Sequence, residues 1–141
     1  MSVPGLPRPS LWRWPVLFLG LIFILWRVFV ARPTDELFTA APGLRCENLD
    51  SAQARKWLVA HADAQILDVR TAGEFAGGAL PGAINFPVGN DDFDQRAAQL
   101  DRNRPLFVYC ASGVRSRRAL LRLKALGFGE LGHLDGGLRS W

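Results

Sequence analysis

Pro105-Leu106-Phe107-Val108-Tyr109-Cys110-Ala111-Ser112-Gly113-Val114-Arg115-Ser116 is the stretch from which the fold can be read. Leu106 to Tyr109 is a continuous apolar run, which suits a central parallel strand covered on both faces. Arg117 to Leu126 has helical spacing, with Ala119, Leu120, Leu123 and Leu126 on one side and Arg117, Arg118, Arg122 and Lys124 on the other. Cys110 therefore sits where a buried strand gives way to a helix. The small and Gly residues after it permit a tight turn whose successive backbone N–H groups form an anion cradle. The helix adds unpaired N–H groups and the positive end of its dipole. A thiol in that position has its pKa lowered and is partly thiolate at neutral pH. Cys110 is thus a candidate nucleophile. A merely structural thiol would leave the Ser-Gly-Val-Arg-Ser tail unexplained.

Outward from this loop, strands and helices alternate. Leu44 to Leu49 reads as a short strand or an extended entry segment. Asp50 with Gln53 three residues on is a capping-box start, followed by a helical face of Ala54, Trp57, Leu58 and Ala60 to Ala62. Gln65 to Arg70 reads as a strand ending on Asp68 and Arg70, which share a side by the period of two. Thr71 to Ala76 is a helical turn bearing Glu74, stopped by Gly77-Gly78. Ala79 to Pro87 holds a Pro-Gly turn and a short strand, and Asp91 to Leu100 a helix carrying Phe93, Ala97 and Leu100. Gly127 stops the helix after the loop, and Leu131 to Leu134 is a last strand before Asp135-Gly136-Gly137. This order argues a three-layer α/β domain with a mostly parallel central sheet. Ligands of such sheets sit beyond the carboxyl ends of the strands, where Cys110, Asp68 and Arg70 all lie.

With 141 residues and 49% apolar content the chain has room for one packed domain and an appendage. The net charge of +4 is uneven. Arg8, Arg13, Arg27 and Arg32 stand in residues 1–34 without an acid, and the 13 basic and 13 acidic residues after them balance. No basic run interleaved with aromatics points to nucleic acid. Cys46 and Cys110 are too few for a disulfide framework, and neither they nor His61 and His133 follow a metal-ligand spacing. Cys46 reads as a small core residue, and His133 as a packed residue rather than a base. No metal or cofactor is called for.

The N-terminus divides into residues 1–10, Pro-rich and expected to be disordered, and Leu11 to Ala31, expected to be a single-pass membrane anchor. Its uncharged part, Trp14 to Trp26, has 13 residues, and the 21 from Leu11 to Ala31 reach the length of a span of about 20 if Arg13 and Arg27 snorkel. Trp12, Trp14 and Trp26 lie near its ends, as in an aromatic belt. A cleaved signal peptide and a buried helix are the other readings of the same run. Residues 32–43 read as a linker and 44–141 as the domain. Flanking arginines nearly tie on orientation. A working free thiol favours the cytoplasmic face.

Four stretches together resemble the single-domain form of the rhodanese (sulfurtransferase) family: Leu67-Asp68-Val69-Arg70 with Glu74-Phe75; Gly78 through Pro87; Tyr109 through Ser116; and Leu134-Asp135-Gly136-Gly137 with Trp141. The resemblance implies that Cys110 accepts a sulfane sulfur as a persulfide and passes it to a thiophilic acceptor, a thiol or a sulfur-carrier protein. It implies a cradle of Ala111, Ser112, Gly113, Val114, Arg115 and Ser116 around the outer sulfur and a small anionic donor such as thiosulfate. Asp68, Arg70 and Glu74 would support the loop through ion pairs, Arg70 with Glu74 or Asp68 with Arg115. Two positions depart from the family: Ala79 stands where it usually has His, and Ala111 where it often has a basic residue, which weakens the case for thiosulfate as donor. Two other classes fit less well. A cysteine phosphatase of related fold spaces Cys and Arg by five residues, whereas Arg115 follows Cys110 after four; arsenate reduction on this loop type is a further alternative. A non-catalytic binding module of the family would lack the cysteine.

Overall fold

The computed structural model describes residues 36–38 and 42–141. Five parallel strands form its sheet: β1 (Arg45–Leu49), β2 (Gln65–Asp68), β3 (Ala83–Asn85), β4 (Leu106–Tyr109) and β5 (Glu130–Leu134), in the spatial order β1-β5-β4-β2-β3. The helices are α1 (Ser51–Ala60), α2 (Ala72–Ala76), α3 (Phe93–Ala97) and α4 (Val114–Ala125), with 3-10 turns at Glu36–Phe38 and Gly137–Ser140.

Every residue of β4 is buried. Its alternation divides the core in two. Val108 and Cys110 face Phe93 and Ala97 of α3 and Ala119, Leu120 and Leu123 of α4. Phe107 and Tyr109 face Ala54 and Trp57 of α1. Burial of each such side chain is worth about 1.5–3 kcal/mol, so a central strand apolar on both faces fixes the three layers. The all-parallel sheet meets the fold class expected from the alternation.

The Asp50 cap forms as read: its carboxylate accepts from Gln53 N, and the Gln53 side chain accepts from Asp50 N. The helix ends earlier than expected, at Ala60, and Ala62 is exposed. β2 stops at Asp68 rather than Arg70, because the Asp68 carboxylate accepts from Arg70 N at 2.9 Å and turns the chain out of the sheet. The helix expected over 91–100 shortens to Phe93–Ala97, whose ends bury i and i+4 against α4. The helix after the loop begins at Val114, three residues before the expected start at Arg117 and five before the first periodic apolar residue, Ala119.

Part of the segment read as a linker belongs to the domain. Leu37 and Phe38 pack against the core, and Lys124 donates its ammonium to the Leu37 carbonyl. The expected disordered N-terminus, residues 1–10, and the expected anchor, residues 11–31, lie outside the described residues. Among the described residues no helix is long and apolar enough to cross a membrane.

Candidate active site

Cys110 immediately follows β4, and Gly113 caps α4 in the left-handed conformation, φ +89°, that a β-carbon disfavours. This sharp turn folds the loop back on the sulfur. The Gly113 N–H donates to Cys110 Sγ at 3.2 Å, and the Ser116 hydroxyl reaches the same sulfur at 3.4 Å from the first turn of α4. The thiol is buried, and burial pushes its pKa up. Hydrogen bonds from the Ser116 hydroxyl and from the backbone of Ser116, Ser112 and Gly113 act the other way and win, so the thiol lies below its ordinary value. Cys46 is the contrast. Burial in the core without such donors pushes it up to about 11.

The loop is held from behind by the 3-10 turn after β5. Leu138 N donates to the Cys110 carbonyl at 2.7 Å and Arg139 N to the Ala111 carbonyl at 3.1 Å. In a trans peptide C=O and N–H point opposite ways, so pinning these two carbonyls turns the N–H groups of Ala111 and Ser112 to the other side of the loop.

The expected ion pairs exchange partners. Asp68 pairs with Arg70, not Arg115: the guanidinium Nε lies 3.0 and 2.9 Å from the two carboxylate oxygens, and a terminal nitrogen lies 2.6 Å from one of them. The same nitrogen donates to the Gly78 carbonyl at 2.6 Å. Arg70 is spent there because the turn at Asp68 folds it back on its own neighbour. Glu74 pairs with Arg115 instead, through two bonds of 2.6 and 2.7 Å. Hydrogen bonds from Arg115, then from the Thr71 backbone, hold the Glu74 carboxyl well below the usual carboxylate range. Thr71 and Glu74 cap α2 reciprocally, so the helix start fixes Glu74 and Glu74 fixes Arg115. Arg117 and Arg122, set opposite the apolar side of the helix, are half-buried and paired with Asp135 at 2.9 Å and Asp94 at 2.7 Å.

The Asp68–Arg70 pair is buried on both sides, with side-chain exposures of 0% and 8%. Arg70→Ala leaves an uncompensated carboxylate in the core and is expected to cost about 3–5 kcal/mol, measured by urea unfolding. A loss below about 1 kcal/mol would count against a structural role for the pair.

His133 is packed, as read from the sequence, but its neighbour Asn48 escaped that reading. The register of β1 against β5 sets Asn48 beside His133. His133 Nδ1 lies 2.7 Å from Asn48 Oδ1, and Nε2 lies 2.8 Å from Ser116 Oγ. His133 is packed and fully buried, and the Phe38 ring lies 5.6 Å away. Burial, then the Arg117 charge, lowers its pKa from 6.5 to about 4. Between those values the unfolded chain binds a proton that the folded chain refuses, so stability falls as pH drops from about 6.5 to 4, by roughly 3 kcal/mol in all. His133→Asn should flatten that part of the stability profile; an unchanged acid slope would assign it to other groups.

The strand-turn-helix loop with its buried, hydrogen-bonded cysteine on a five-stranded parallel sheet defines a class before any comparison is made. Residues 51–141 match the rhodanese-like domain family, and the chain belongs to it. It is 38% identical over 78 residues, 55% of this chain and 60% of the other, to the uncharacterized protein YqhL of Bacillus subtilis. Over 93 residues, 66% of this chain and 85% of the other, it is 31% identical to a sulfurtransferase of Allochromatium vinosum. The crystal structure of a rhodanese-like domain protein from Staphylococcus aureus superposes with a TM-score of 0.59 at 28% identity, covering 67% of this chain and 90% of that one. The chain thus spans about three fifths of the first relative's length and most of the second's. Its relatives in the family include proteins named as sulfurtransferases.

Proposed function

We propose that the chain is a sulfurtransferase in which Cys110 carries the sulfur. The observation that supports this best is the set of donors on one sulfur, the Gly113 N–H and the Ser116 hydroxyl, at the N-terminus of α4. These donors stabilise a thiolate and, after loading, the terminal sulfur of a persulfide, which carries the same charge one atom further out. In the first half-reaction the Cys110 thiolate bonds to the outer sulfur of the donor. The bond between that sulfur and the rest of the donor breaks, and sulfite or a thiolate leaves with the electron pair. In the second, a thiolate acceptor takes the outer sulfur and Cys110 leaves as thiolate. Nothing is oxidised or reduced overall, so the chemistry needs neither metal nor organic cofactor.

Thiosulfate or a persulfide would serve as donor, and a small thiol or a sulfur-carrier protein as acceptor. Arg115 is committed to Glu74, and Ala111 brings no charge, so the cradle depends on backbone donors rather than on free cations. That arrangement favours a persulfide over the dianionic thiosulfate. Ser116 occupies the position where a cysteine phosphatase holds its phosphate-binding Arg, and its hydroxyl is turned inward to Sγ and His133. The test is mass spectrometry after incubation with thiosulfate and, separately, with glutathione persulfide. A gain of one sulfur atom on the Cys110 peptide is expected. No gain with either donor would favour a binding module, and hydrolysis of an aryl phosphate would favour a phosphatase.

We infer from the sequence alone that residues 11–31 anchor the domain in a membrane, with the domain on the cytoplasmic face. Retention in the pellet after alkaline carbonate extraction is the expected result, and release into the supernatant would remove the anchor. Accessibility labelling of a cysteine introduced into the linker would fix the side.

A further inference from the structure

From Asn48, His133 and Ser116 in line with Cys110, we infer that His133 is the acceptor of the Cys110 thiol proton, reached through the Ser116 hydroxyl. This rests on Cys110 acting as the nucleophile proposed above.

The contacts are continuous from strand edge to sulfur. Asn48 Oδ1 lies 2.7 Å from His133 Nδ1, His133 Nε2 lies 2.8 Å from Ser116 Oγ, and Ser116 Oγ lies 3.4 Å from Cys110 Sγ. An amide oxygen only accepts, so the hydrogen of the neutral imidazole is on Nδ1 and the Nε2 lone pair faces the hydroxyl. The Ser116 hydroxyl has one hydrogen and three acceptors around it: Nε2, Sγ and the Gly113 carbonyl at 3.0 Å. With its hydrogen on Nε2, its oxygen is open to the thiol proton. Cys110, Ser116 and His133 are all fully buried, so water does not compete along the line.

The transfer balances as follows. The thiol proton passes to Ser116 Oγ as the hydroxyl proton passes to Nε2. The sulfur is left as thiolate, the hydroxyl now donates to it, and the imidazolium keeps its Nδ1–H on Asn48. When the acceptor removes the outer sulfur, the departing Cys110 thiolate recovers its proton by the reverse path. The surroundings suit a proton held briefly. His133 faces Asn48 from β1, Ser116 and the Gly113 backbone from the loop and α4, and the Phe38 ring from the 3-10 turn; Arg117 and Asp135, paired at 2.9 Å, are the nearest charges. Burial with Arg117 nearby keeps the resting imidazole neutral, so its Nε2 lone pair is free at neutral pH, and makes the imidazolium a short-lived state that returns the proton.

The test is the pH profile of Cys110 alkylation by iodoacetamide, read on the Cys110 peptide, which needs no sulfur transfer. With a base at hand the rate should level off below the thiol pKa instead of falling tenfold per pH unit with the thiolate fraction. His133→Asn and Ser116→Ala should each restore the tenfold slope, leaving the rate at pH 4 about half the wild type's and further behind below that pH. Ser116→Ala keeps the imidazole in place and decides the matter if His133→Asn does not fold. Profiles that superpose in wild type and Ser116→Ala would overturn the relay. So would a nitrogen-15 NMR pattern showing the hydrogen of His133 on Nε2. A levelled profile in a protein that takes sulfur from no donor would keep the relay and remove the sulfurtransferase reading.

Discussion

Cys110→Ser should abolish sulfur uptake while leaving the fold and the cradle in place. The oxygen of serine at neutral pH is a protonated alcohol, held far from the alkoxide needed to attack sulfur, whereas the Cys110 thiol is already biased toward thiolate. The Gly113 N–H that reaches Sγ at 3.2 Å has an oxygen to reach instead. The stability cost is therefore small, about 1 kcal/mol. Sulfur-transfer turnover should fall by at least about a thousandfold, and the mass gain on the Cys110 peptide should vanish. Because the backbone donors survive, titration with sulfite should give the same affinity in wild type and variant. Full turnover in Cys110→Ser would move the chemistry elsewhere in the chain. A variant that no longer unfolds cooperatively would show that the thiol is structural.

The second large effect is expected at a residue with no reactive group. Gly137 has φ +63°, and a β-carbon built on it would stand 2.5 Å from Ala111 C, Cys110 O and Ser112 N. Those are backbone atoms of the sulfur-holding loop, so no side chain can swing aside. Gly137→Ala adds the cost of a left-handed alanine, about 1 kcal/mol, to an overlap of about 1–3 kcal/mol. It also pushes apart the two bonds that pin the Cys110 and Ala111 carbonyls. Destabilisation of about 2–4 kcal/mol is expected, a fall in Tm of roughly 10 °C or more, with sulfur loading reduced at least about tenfold even where the protein is folded. Gly136→Ala is the control. It also has positive φ, +72°, but its β-carbon would meet only the Ser140 side chain at 3.0 Å. It should lose stability and keep its loading rate. Equal effects from the two variants would mean that Gly137 matters for conformation alone.

The sheet was legible wherever burial and sequence pattern coincide. Leu106 to Tyr109 is apolar without interruption because both of its faces are covered, and its limits are those read from sequence. Asp50 and Gln53 announced the first helix because capping is local. The start of α4 was hidden, since Val114, Arg115 and Ser116 serve the loop rather than the core and break the apolar period. The ion pairs were legible as charges but not as partners. Asp68 takes the neighbour two residues away because a turn delivers it, while Arg115 takes Glu74, 41 residues distant, because α2 is capped by that same carboxylate. His133 could be read as packed, but its contacts with Asn48 and Ser116 were out of reach. The adjacency of His133 and Asn48 comes from the register of parallel strands separated by most of the domain, and neither residue belongs to a local pattern.

The spatial order β1-β5-β4-β2-β3 also sets a timetable. β5 lies between β1 and β4, so the sheet is open in its middle until the last strand arrives, and the turn that pins the loop carbonyls follows later still. Parallel strands have no hairpins to form early, and contacts of high sequence separation fold slowly. In the unfolded chain the turn that carries Leu138 and Arg139 has not closed on the loop, so Cys110 is not yet held against its hydrogen-bond donors. Until then the sulfur lacks its donors and titrates as an ordinary thiol. The bias of Cys110 toward thiolate thus belongs to the folded domain as a whole and not to its parts.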